Sequence, residues 1–284
     1  MALSIQTNLA SLGIQNQLSS SNNSLNTALE RLGSGLRINS AADDAAGLQI
    51  ANRLTAQVRG QEAARYNIGN ATSMLQTAEG AMEEMTNIAY RMRELATQGA
   101  NGTNSASEYT ALNSEFQALG AELSNIMTNT SYGSGTTLLE GGTFGTGKVT
   151  FQIGTAAAEK LEVDVQAQVK TINDNVKLTA GVTAAGDLSD QTKSVAAMAT
   201  VDTVINALGA ARASFGSSIN RLEHTYANLG NMIENTQASV SQIMDADFAT
   251  ETSNMTRQQL LLNSGISVLQ SSNQTTQMIG QLLR

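Results

Sequence analysis

The sequence predicts a mainly α fold, a long coiled-coil helical hairpin or bundle with paired N- and C-terminal helices and a small β-hairpin insert. Apolar residues recur at alternating spacings of three and four over long stretches, which is the pattern of helices packed against helices. The 284 residues contain no proline, although about 14 would be expected at the usual frequency, so a helix can run through almost any segment. One central segment instead alternates apolar and polar residues, as β-strands do.

Three helical segments are predicted in the first half of the chain. The N-terminal arm carries leucines at helical spacing: Leu18, Leu25, Leu29, Leu32 and Leu36. The second segment has a stripe of apolar and small residues: Ile68, Ala71, Leu75, Ala78, Met82, Met85, Ala89, Met92 and Ala96. The stripe of the third segment is Tyr109, Leu112, Phe116, Leu119, Leu123 and Ile126. Residues 98–107, QGANGTNSAS, predict the turn between the second and third segments.

The middle of the chain has a different character. It is rich in Gly and Thr at first, and two short runs then alternate apolar and polar residues, which predicts a β-hairpin. The apolar members of these runs are Val149, Phe151, Ile153, Leu161, Val163 and Val165. Residues 179–193, TAGVTAAGDLSDQTK, are expected to form an exposed connection.

Helical periodicity returns in the C-terminal half. A stripe with strict 4/3 spacing comprises Phe215, Ile219, Leu222, Tyr226, Leu229, Ile233, Thr236, Val240 and Ile243. The pattern continues near the C-terminus with Leu262, Ile266 and Leu269. The predicted domains are inner coiled-coil arms with their joint at 1–39 and 245–284, a helical rod at 40–130 and 196–244, and a short β-containing insert of the rod at 131–195.

Both ends of the chain lack charge. Residues 1–29 and 258–283 contain no Asp, Glu, Lys, Arg or His, whereas a solvated helix normally carries charges on its outer face. Such ends suit helices that are buried on several sides against other helices, because identical charges in a desolvated polymer core would be costly. We expect both ends to be disordered in the monomer and to fold on assembly. The predicted contacts of the arms are Leu18, Leu25, Leu29, Leu32, Leu262, Ile266 and Leu269.

Composition argues against several classes of protein. The net charge is −8 and Lys and Arg do not cluster, so nucleic-acid binding is not expected. No run of about 20 apolar residues predicts a membrane span. The chain has no cysteine, and therefore no thiolate nucleophile or Cys-type zinc site. No basic residue precedes Arg31, so a cleaved secretory signal is not expected.

Three motifs that could carry chemistry are incomplete. Gly142-x-x-x-x-Gly147-Lys148 is followed by Val149 instead of Ser or Thr and by a strand-like run, so it lacks features of a phosphate-binding loop. The only histidine, His224, belongs to no metal motif. Residues 245–252, DADFATET, lack the Gly and the final Glu of a calcium loop and predict a helix junction capped by an acid. No catalytic, cofactor-binding or metal-binding residue is predicted, and the chain is not expected to be an enzyme.

The stretch GLRINSAADDAAGLQIANRL contains an acid pair, Asp43 and Asp44. Glycines before it can end the first helix, and Ser40-x-x-Asp43 fits a capping box. The acids would then lie in the first turn of the next helix, where negative charge is stabilised. We also expect them to pair with a nearby arginine. The candidates are Arg31, Arg37 and Arg53.

Several stretches resemble bacterial flagellins. They are LGSGLRINSAADDAAGLQIANRLTAQVRG, LQTAEGAMEEMTNIAYRMRELATQGANGTNS, FQIG, NRLEHTYANLGN, DADFATETSNMTRQQLLLNSG and the terminal LLR. The resemblance covers nearly the whole chain apart from roughly 131–148 and 176–195, and it implies a subunit of the flagellar filament whose terminal arms pair as an inner tube. Large outer domains of the family look absent. In this context the acid-pair stretch is interpreted as a joint between helical layers that meets DADFATET in the returning chain. The joint residues are Gly35, Arg37, Ser40, Asp43, Asp44, Asp245 and Asp247.

The resemblance also implies partners and a location. The partners are further copies of the chain, an export chaperone on the C-terminal arm, and the filament cap and hook-junction proteins. Export would use a type III apparatus without a cleaved signal peptide and would place the protein outside the cell. A vertebrate Toll-like receptor recognises the family. The family residues that are key to this recognition correspond by motif to Arg91, Leu95 and Glu115.

Two alternatives remain at this point. A hook–filament junction protein has similar helical ends, although the near-continuous filament-type signature disfavours it. A coiled-coil signalling protein belongs to a different class, and its helices would normally carry charge throughout. Self-polymerisation into long filaments would separate the leading hypothesis from both.

Overall fold

The structure is a computed structural model that describes residues 8–133, 135–179, 182–183 and 186–282. Its helices are α1 (Leu9–Ser34), α2 (Ala45–Gly99), α3 (Ala106–Asn129), α4 (Thr143–Thr146), α5 (Gln166–Val176), α6 (Gln191–Met244) and α7 (Phe248–Leu282). Its strands are β1 (Ser131–Tyr132), β2 (Thr136–Thr137), β3 (Val149–Gln152), β4 (Lys160–Val163), β5 (Leu178–Thr179) and β6 (Val182–Thr183). The predicted mainly α class with a small β insert is confirmed.

The chain forms two compact units. One comprises residues 1–58 and 234–284, and the other comprises residues 59–233. These bounds differ from the arms, rod and insert proposed from the sequence, which remain a prediction about functional domains. The continuous hydrophobic core lies in the unit 59–233.

The longest predicted stripe forms the centre of that core. All nine of its members, from Ile68 to Ala96 on α2, are at most 2% exposed. The stripe of α6 is buried or half-buried within this unit except at Tyr226, which is 42% exposed. The predicted turn is also present. It ends in a capping box in which the Ser105 hydroxyl accepts from the Glu108 N–H and the Glu108 carboxylate accepts from the Ser105 N–H.

The predicted hairpin is present as the antiparallel pair β3 and β4. Phe151 faces Leu161 and Val149 faces Val163 across the pair. Its period-2 pattern places Leu161 and Val163 in the core at 1% exposure. The hairpin therefore packs one face against the helices, as alternation predicts.

The rest of the insert is more helical and more buried than predicted. Helix α5 was not anticipated, although Val169, Ile172 and Val176 form its buried face. Phe144, on α4, is fully buried, and its ring centroid lies 5.0 Å from that of Phe215 on α6. The insert thus supplies part of the rod core.

The expected exposed connection at 179–193 is wrong in part. Residues 180, 181, 184 and 185 lie outside the described residues, but Leu188 is 0% exposed and α6 already begins at Gln191. The backbone N–H of Leu188 donates to Asn113 Oδ1 at 2.9 Å. An apolar side chain and a satisfied main-chain donor hold this segment against α3.

In the described part of the chain one helix, α6, has the length and composition of a membrane span. Its most apolar 18-residue window has a mean hydropathy of 1.3 and is 39% buried. No such segment is predicted from the sequence. A helix with one face in a protein core reaches the same hydropathy, so this composition is weak support for a membrane span.

Candidate functional site: the arms and the joint

The joint is the segment where α1 ends and meets the junction between α6 and α7. Gly35 has φ 72°, a left-handed conformation that suits glycine, and its N–H donates to Arg31 O at 2.9 Å. Gly35 O then accepts from Ala246 N at 2.9 Å. Leu36 and Asp245 form an isolated antiparallel bridge. The two predicted halves of the joint are therefore neighbours in the structure.

Arg37 binds the C-terminal end of α6 through both its main chain and its side chain. Its N–H donates to Met244 O at 2.6 Å, and its Nη2 donates to Ile243 O at 2.7 Å. These carbonyls belong to the last turn of α6 and have no partner within the helix. A cationic side chain at a helix C-terminus is also favourable for the helix dipole.

The acid pair lies just before α2, and not inside its first turn as predicted. Asp44 Oδ1 accepts from Gly47 N at 2.9 Å and therefore caps the helix. Asp43 Oδ2 accepts from the N–H and the hydroxyl of Ser40, at 2.9 and 3.0 Å, and from Asn39 N at 3.2 Å. The Ser40 donors lower the pKa of the Asp43 carboxyl below its ordinary value, and the Asn39 N–H adds to this shift.

The expected ion pairs between an arginine and the acid pair are absent from the described residues. Arg37 binds main-chain carbonyls, and Arg31 binds Glu251 at 3.2 Å. The positive charge of Arg31 makes a small contribution to the lowered pKa of Asp43 without contact. Backbone donors already bind both carboxylates, and the Ser40 hydroxyl also binds Asp43.

Asp245 and Asp247 flank the junction from α6 to α7. Asp247 Oδ1 accepts from Ala249 N at 3.0 Å, and its Oδ2 accepts from the Thr250 hydroxyl at 2.7 Å. The Thr250 hydroxyl is the main cause of a lowered pKa at Asp247. The Asp245 carboxylate accepts from the Ser241 hydroxyl. The junction has the acid cap that its sequence predicted.

The two arms pair antiparallel. Asn8 Nδ2 donates to the Ser272 hydroxyl at 3.2 Å, and the Ser11 hydroxyl donates to Asn273 Oδ1 at 3.3 Å. Amide and hydroxyl side chains thus take the place of charges along this contact. Further along, Gly265 leaves room for Leu18, whose Cδ2 would lie 2.7 Å from a Cβ at that position.

Most large apolar side chains of the arms are not buried by this pairing. The described buried residues of α1 are Ser11, Ser21 and Ala28. Of the predicted arm contacts, Leu18, Leu25, Leu32, Leu262 and Leu269 are half-buried, whereas Leu29 is 48% and Ile266 is 47% exposed. The other large apolar side chains that are exposed on the described part of the arms are Leu9, Leu12, Phe248, Leu260, Leu261, Val268 and Met278.

Comparison with known proteins identifies the family. The family model for the bacterial flagellin N-terminal helical region matches residues 5–143, and that for the C-terminal helical region matches residues 198–283. The flagellin of Halalkalibacterium halodurans is 39% identical over 282 residues, which cover 99% of each chain. The chain belongs to the bacterial flagellin family. The flagellin of Listeria monocytogenes is 35% identical over 285 residues, again covering 99% of each chain.

A solved structure, described as a flagellar hook-associated protein from Vibrio parahaemolyticus, shares the fold. Its TM-score is 0.55 at 14% identity, with 72% of this chain and 100% of that chain covered. The near-complete coverage by flagellins favours the filament subunit over the junction and signalling alternatives. This flagellin is a structural subunit of the flagellar filament, a motility structure on the outside of the cell.

The three residues that the sequence resemblance linked to receptor recognition, Arg91, Leu95 and Glu115, differ in exposure. On this flagellin Arg91 Nη2 lies 2.8 Å from Glu115 Oε1, and both side chains are 46% exposed. Arg91 Nη1 also donates to Glu94 Oε2 at 2.6 Å, and hydrogen bonds to Glu115 and Glu94 raise the pKa of Arg91. Leu95 is 1% exposed and packs in the core. Arg91 and Glu115 form a surface cluster, and Leu95 lies beneath the surface.

The incomplete chemical motifs of the flagellin have ordinary structural surroundings. Lys148 of the partial phosphate-loop pattern leads into β3 instead of a helix, and His224 is exposed on α6. No group of three or more His, Cys, Asp or Glu side chains that could hold a metal occurs within the described ranges. Glu251, a buried acidic residue in the first turn of α7, was not among the residues predicted from the sequence.

Proposed function

We propose that the paired arms, residues 1–39 and 245–284, form the inner coiled-coil part of the filament and that their outward apolar side chains bind arms of other copies. The observation that carries this proposal is the exposure of large side chains on already paired helices, such as Leu260 at 64% and Leu12 at 53%. Full burial of one such side chain stabilises by about 1.5–3 kcal/mol. A helical homopolymer supplies many partner helices around each arm.

The test is polymerisation of purified variants from seeds. Leu260→Asn is expected to raise the protein concentration needed for growth about tenfold, because about 1.4 kcal/mol of binding corresponds to that factor. Gln259→Asn, on the neighbouring exposed position, is the control and should polymerise like the unchanged protein. Deletion of residues 260–284 is expected to abolish polymerisation. Filaments of normal length from the deletion variant would contradict the proposal.

We also propose that the arms fold only on assembly. Their contact is built from small and polar residues such as Ser11, Ser21 and Ala28, so pairing alone recovers little apolar burial to offset the entropy of ordering two long helices. Hydrogen exchange on the monomer is expected to show weak protection in residues 8–30. Strong protection there in the monomer would contradict this proposal.

The route to the filament is a related proposal. We propose export through a type III apparatus guided by an uncleaved N-terminal arm, with a chaperone covering the C-terminal arm and with cap and hook-junction proteins as further partners. The exposed apolar residues of α7 are a surface that a chaperone could cover before assembly. Mass spectrometry of filament protein should find the N-terminal residues retained, and truncation at residue 260 should abolish chaperone capture while leaving the rod folded.

Finally, we propose that a vertebrate Toll-like receptor recognises the cluster of Arg91 and Glu115, with Leu95 supporting it from below. The guanidinium and carboxylate are partly exposed and hold each other in a fixed orientation, which suits a charged contact. In a receptor reporter assay Arg91→Ala should reduce the signal, whereas Arg221→Ala, at another exposed arginine of the same unit, should not. Equal signals from Arg91→Ala and the unchanged protein would count against recognition.

A further inference from the structure

We propose that Asn101 is a site of spontaneous chemical modification, at which its side-chain amide is lost through a cyclic imide formed with Gly102. The two residues lie in the turn between α2 and α3, and both are exposed. They form the chain's only Asn-Gly dipeptide. Asparagine is a thermolabile residue in proteins, and the following backbone nitrogen is the nearest available nucleophile.

The reaction needs no enzyme, metal or oxidant. The Gly102 nitrogen attacks Asn101 Cγ and forms a new N–C bond, while its proton is lost and the side-chain nitrogen leaves as ammonia. Water then opens the imide. Cleavage of the bond to Cγ gives aspartate at this position, and cleavage of the bond to the main-chain carbonyl carbon gives isoaspartate. Each outcome consumes one water and releases one ammonia.

The nucleophile is unobstructed. Within the described residues, no hydrogen bond engages the N–H of Gly102, although its neighbours Asn101 and Asn104 donate theirs to Gln98 O and Asn101 O. Glycine has no Cβ to hinder a close approach of its own nitrogen to the preceding side chain. A reacting pair held within one dipeptide also gains the rate advantage of proximity.

The attacked carbonyl is polarised by the turn itself. Thr103 N donates to Asn101 Oδ1 at 3.3 Å. That oxygen becomes negative as the nitrogen attacks Cγ, so this N–H stabilises the developing charge. Exposure of Asn101 gives ammonia a way out and gives the hydrolysing water access.

The glycine is not required by the surrounding packing. A Cβ at position 102 would lie 3.6 Å from the amide atoms of Gln191, an ordinary contact, and the backbone there is not left-handed. Gly102→Ala is therefore a variant that should fold normally while it hinders ring closure. The turn keeps its other anchors, including the Gln191 Nε2 bond to Ala100 O at 3.0 Å.

The same turn contains a matched comparison, Asn104. Its side-chain nitrogen donates to Gln98 O at 2.7 Å, and the next residue is Ser105, whose side chain hinders attack and whose N–H donates to Glu108. Asn104 should therefore retain its amide under conditions that convert Asn101.

The experiment is incubation of the purified full-length protein at neutral and mildly alkaline pH, followed by peptide mapping with mass spectrometry. We expect Asn101 to convert to a mixture of aspartate and isoaspartate, faster at the higher pH because the attacking nitrogen must lose a proton. Asn104 should stay intact, and Gly102→Ala should lose most of the product. Isoelectric focusing should show a new acidic band in the unchanged protein.

Two results would overturn the proposal. One is conversion at Asn101 that is no faster than at Asn104. The other is equal conversion in Gly102→Ala and the unchanged protein. If Gly102→Ala fails to give the helical circular dichroism of the unchanged protein, the comparison between Asn101 and Asn104 within one chain still decides the matter.

Discussion

Arg31 Nη1 donates to Glu251 Oε1 at 3.2 Å and joins the last turn of α1 to the first turn of α7. The Glu251 side chain is only 10% exposed, and its Oε2 accepts from Asn254 Nδ2 at 3.0 Å. Each charge lies at the helix end whose dipole favours it. The pair fixes the register of the two arms next to the joint, where the charge-free part of each arm ends.

Loss of the Arg31 guanidinium should therefore weaken the pairing of the arms. Arg31→Met leaves the Glu251 carboxylate buried without its partner, which costs about 1–3 kcal/mol per subunit. We expect filaments of this variant to depolymerise at a lower temperature than the unchanged filaments. The control is Arg53→Met, a change at an exposed position on α2 that should cost less than about 0.5 kcal/mol. Equal depolymerisation temperatures for the two variants would contradict the importance of the pair.

Two glycines near the end of α1 should respond in opposite directions to the same change. Gly35 has φ 72° and a Cβ there would meet nothing within 4 Å, so Gly35→Ala costs about 1–2 kcal/mol through the backbone alone. Gly33 lies inside α1, and a Cβ there would also meet nothing within 4 Å. Gly33→Ala should therefore stabilise the helix by up to about 1 kcal/mol. Filament depolymerisation temperatures measure both. A gain from Gly35→Ala would show that this helix end is not formed in the filament.

The lowered pKa of Asp43 predicts a pH dependence for the joint. Because the folded pKa is below the unfolded value of about 3.9, the folded state binds fewer protons in this range, and its stability falls as the pH falls. The contribution of Asp43 to the stability of the folded state should be complete above the unfolded pKa. It should disappear as the pH drops through the folded pKa. Carbon-13 NMR titration of labelled carboxyl groups gives that pKa directly.

Ser40→Ala provides the matched variant for this titration. It removes the hydroxyl donor at 3.0 Å but keeps the Ser40 N–H donor at 2.9 Å. The pKa of Asp43 should rise part of the way towards its ordinary value. The pKa of Asp247, whose donors lie on Ala249 and Thr250, should stay the same. An unchanged Asp43 pKa in Ser40→Ala would refute the assigned cause.

Long periodic stripes allowed much of the fold to be predicted from the sequence. The stripe of α2 has nine members at regular spacing, so one misjudged residue does not change which face of the helix is predicted to be buried, and each member is buried. Helix α5 is only 11 residues long, and its buried stripe has three members, which is too few to distinguish a helix from the neighbouring strands.

At the joint, Ser40-x-x-Asp43 matches the capping-box motif, but the hydrogen bonds show that Asp44 is the residue that caps α2. A pattern of residue types does not specify which of two adjacent carboxylates reaches a given N–H. For the arms, periodicity identifies apolar residues without saying which face the partner arm and which face other copies.

Phe144 offers a test of whether the insert is an integral part of the rod. Its ring is fully buried and tilted by 59° against that of Phe215 on α6, an arrangement that adds to ordinary apolar burial. Phe144→Ala should lower the free energy of unfolding by about 3–5 kcal/mol. Phe248→Ala, at a ring that is 62% exposed, is the control and should change stability far less. If chemical denaturation of Phe144→Ala shows a single transition at lower denaturant, the insert and the long helices unfold together. An unchanged main transition would mean that the insert is an independent appendage, which the shared core of α3, α5 and α6 argues against.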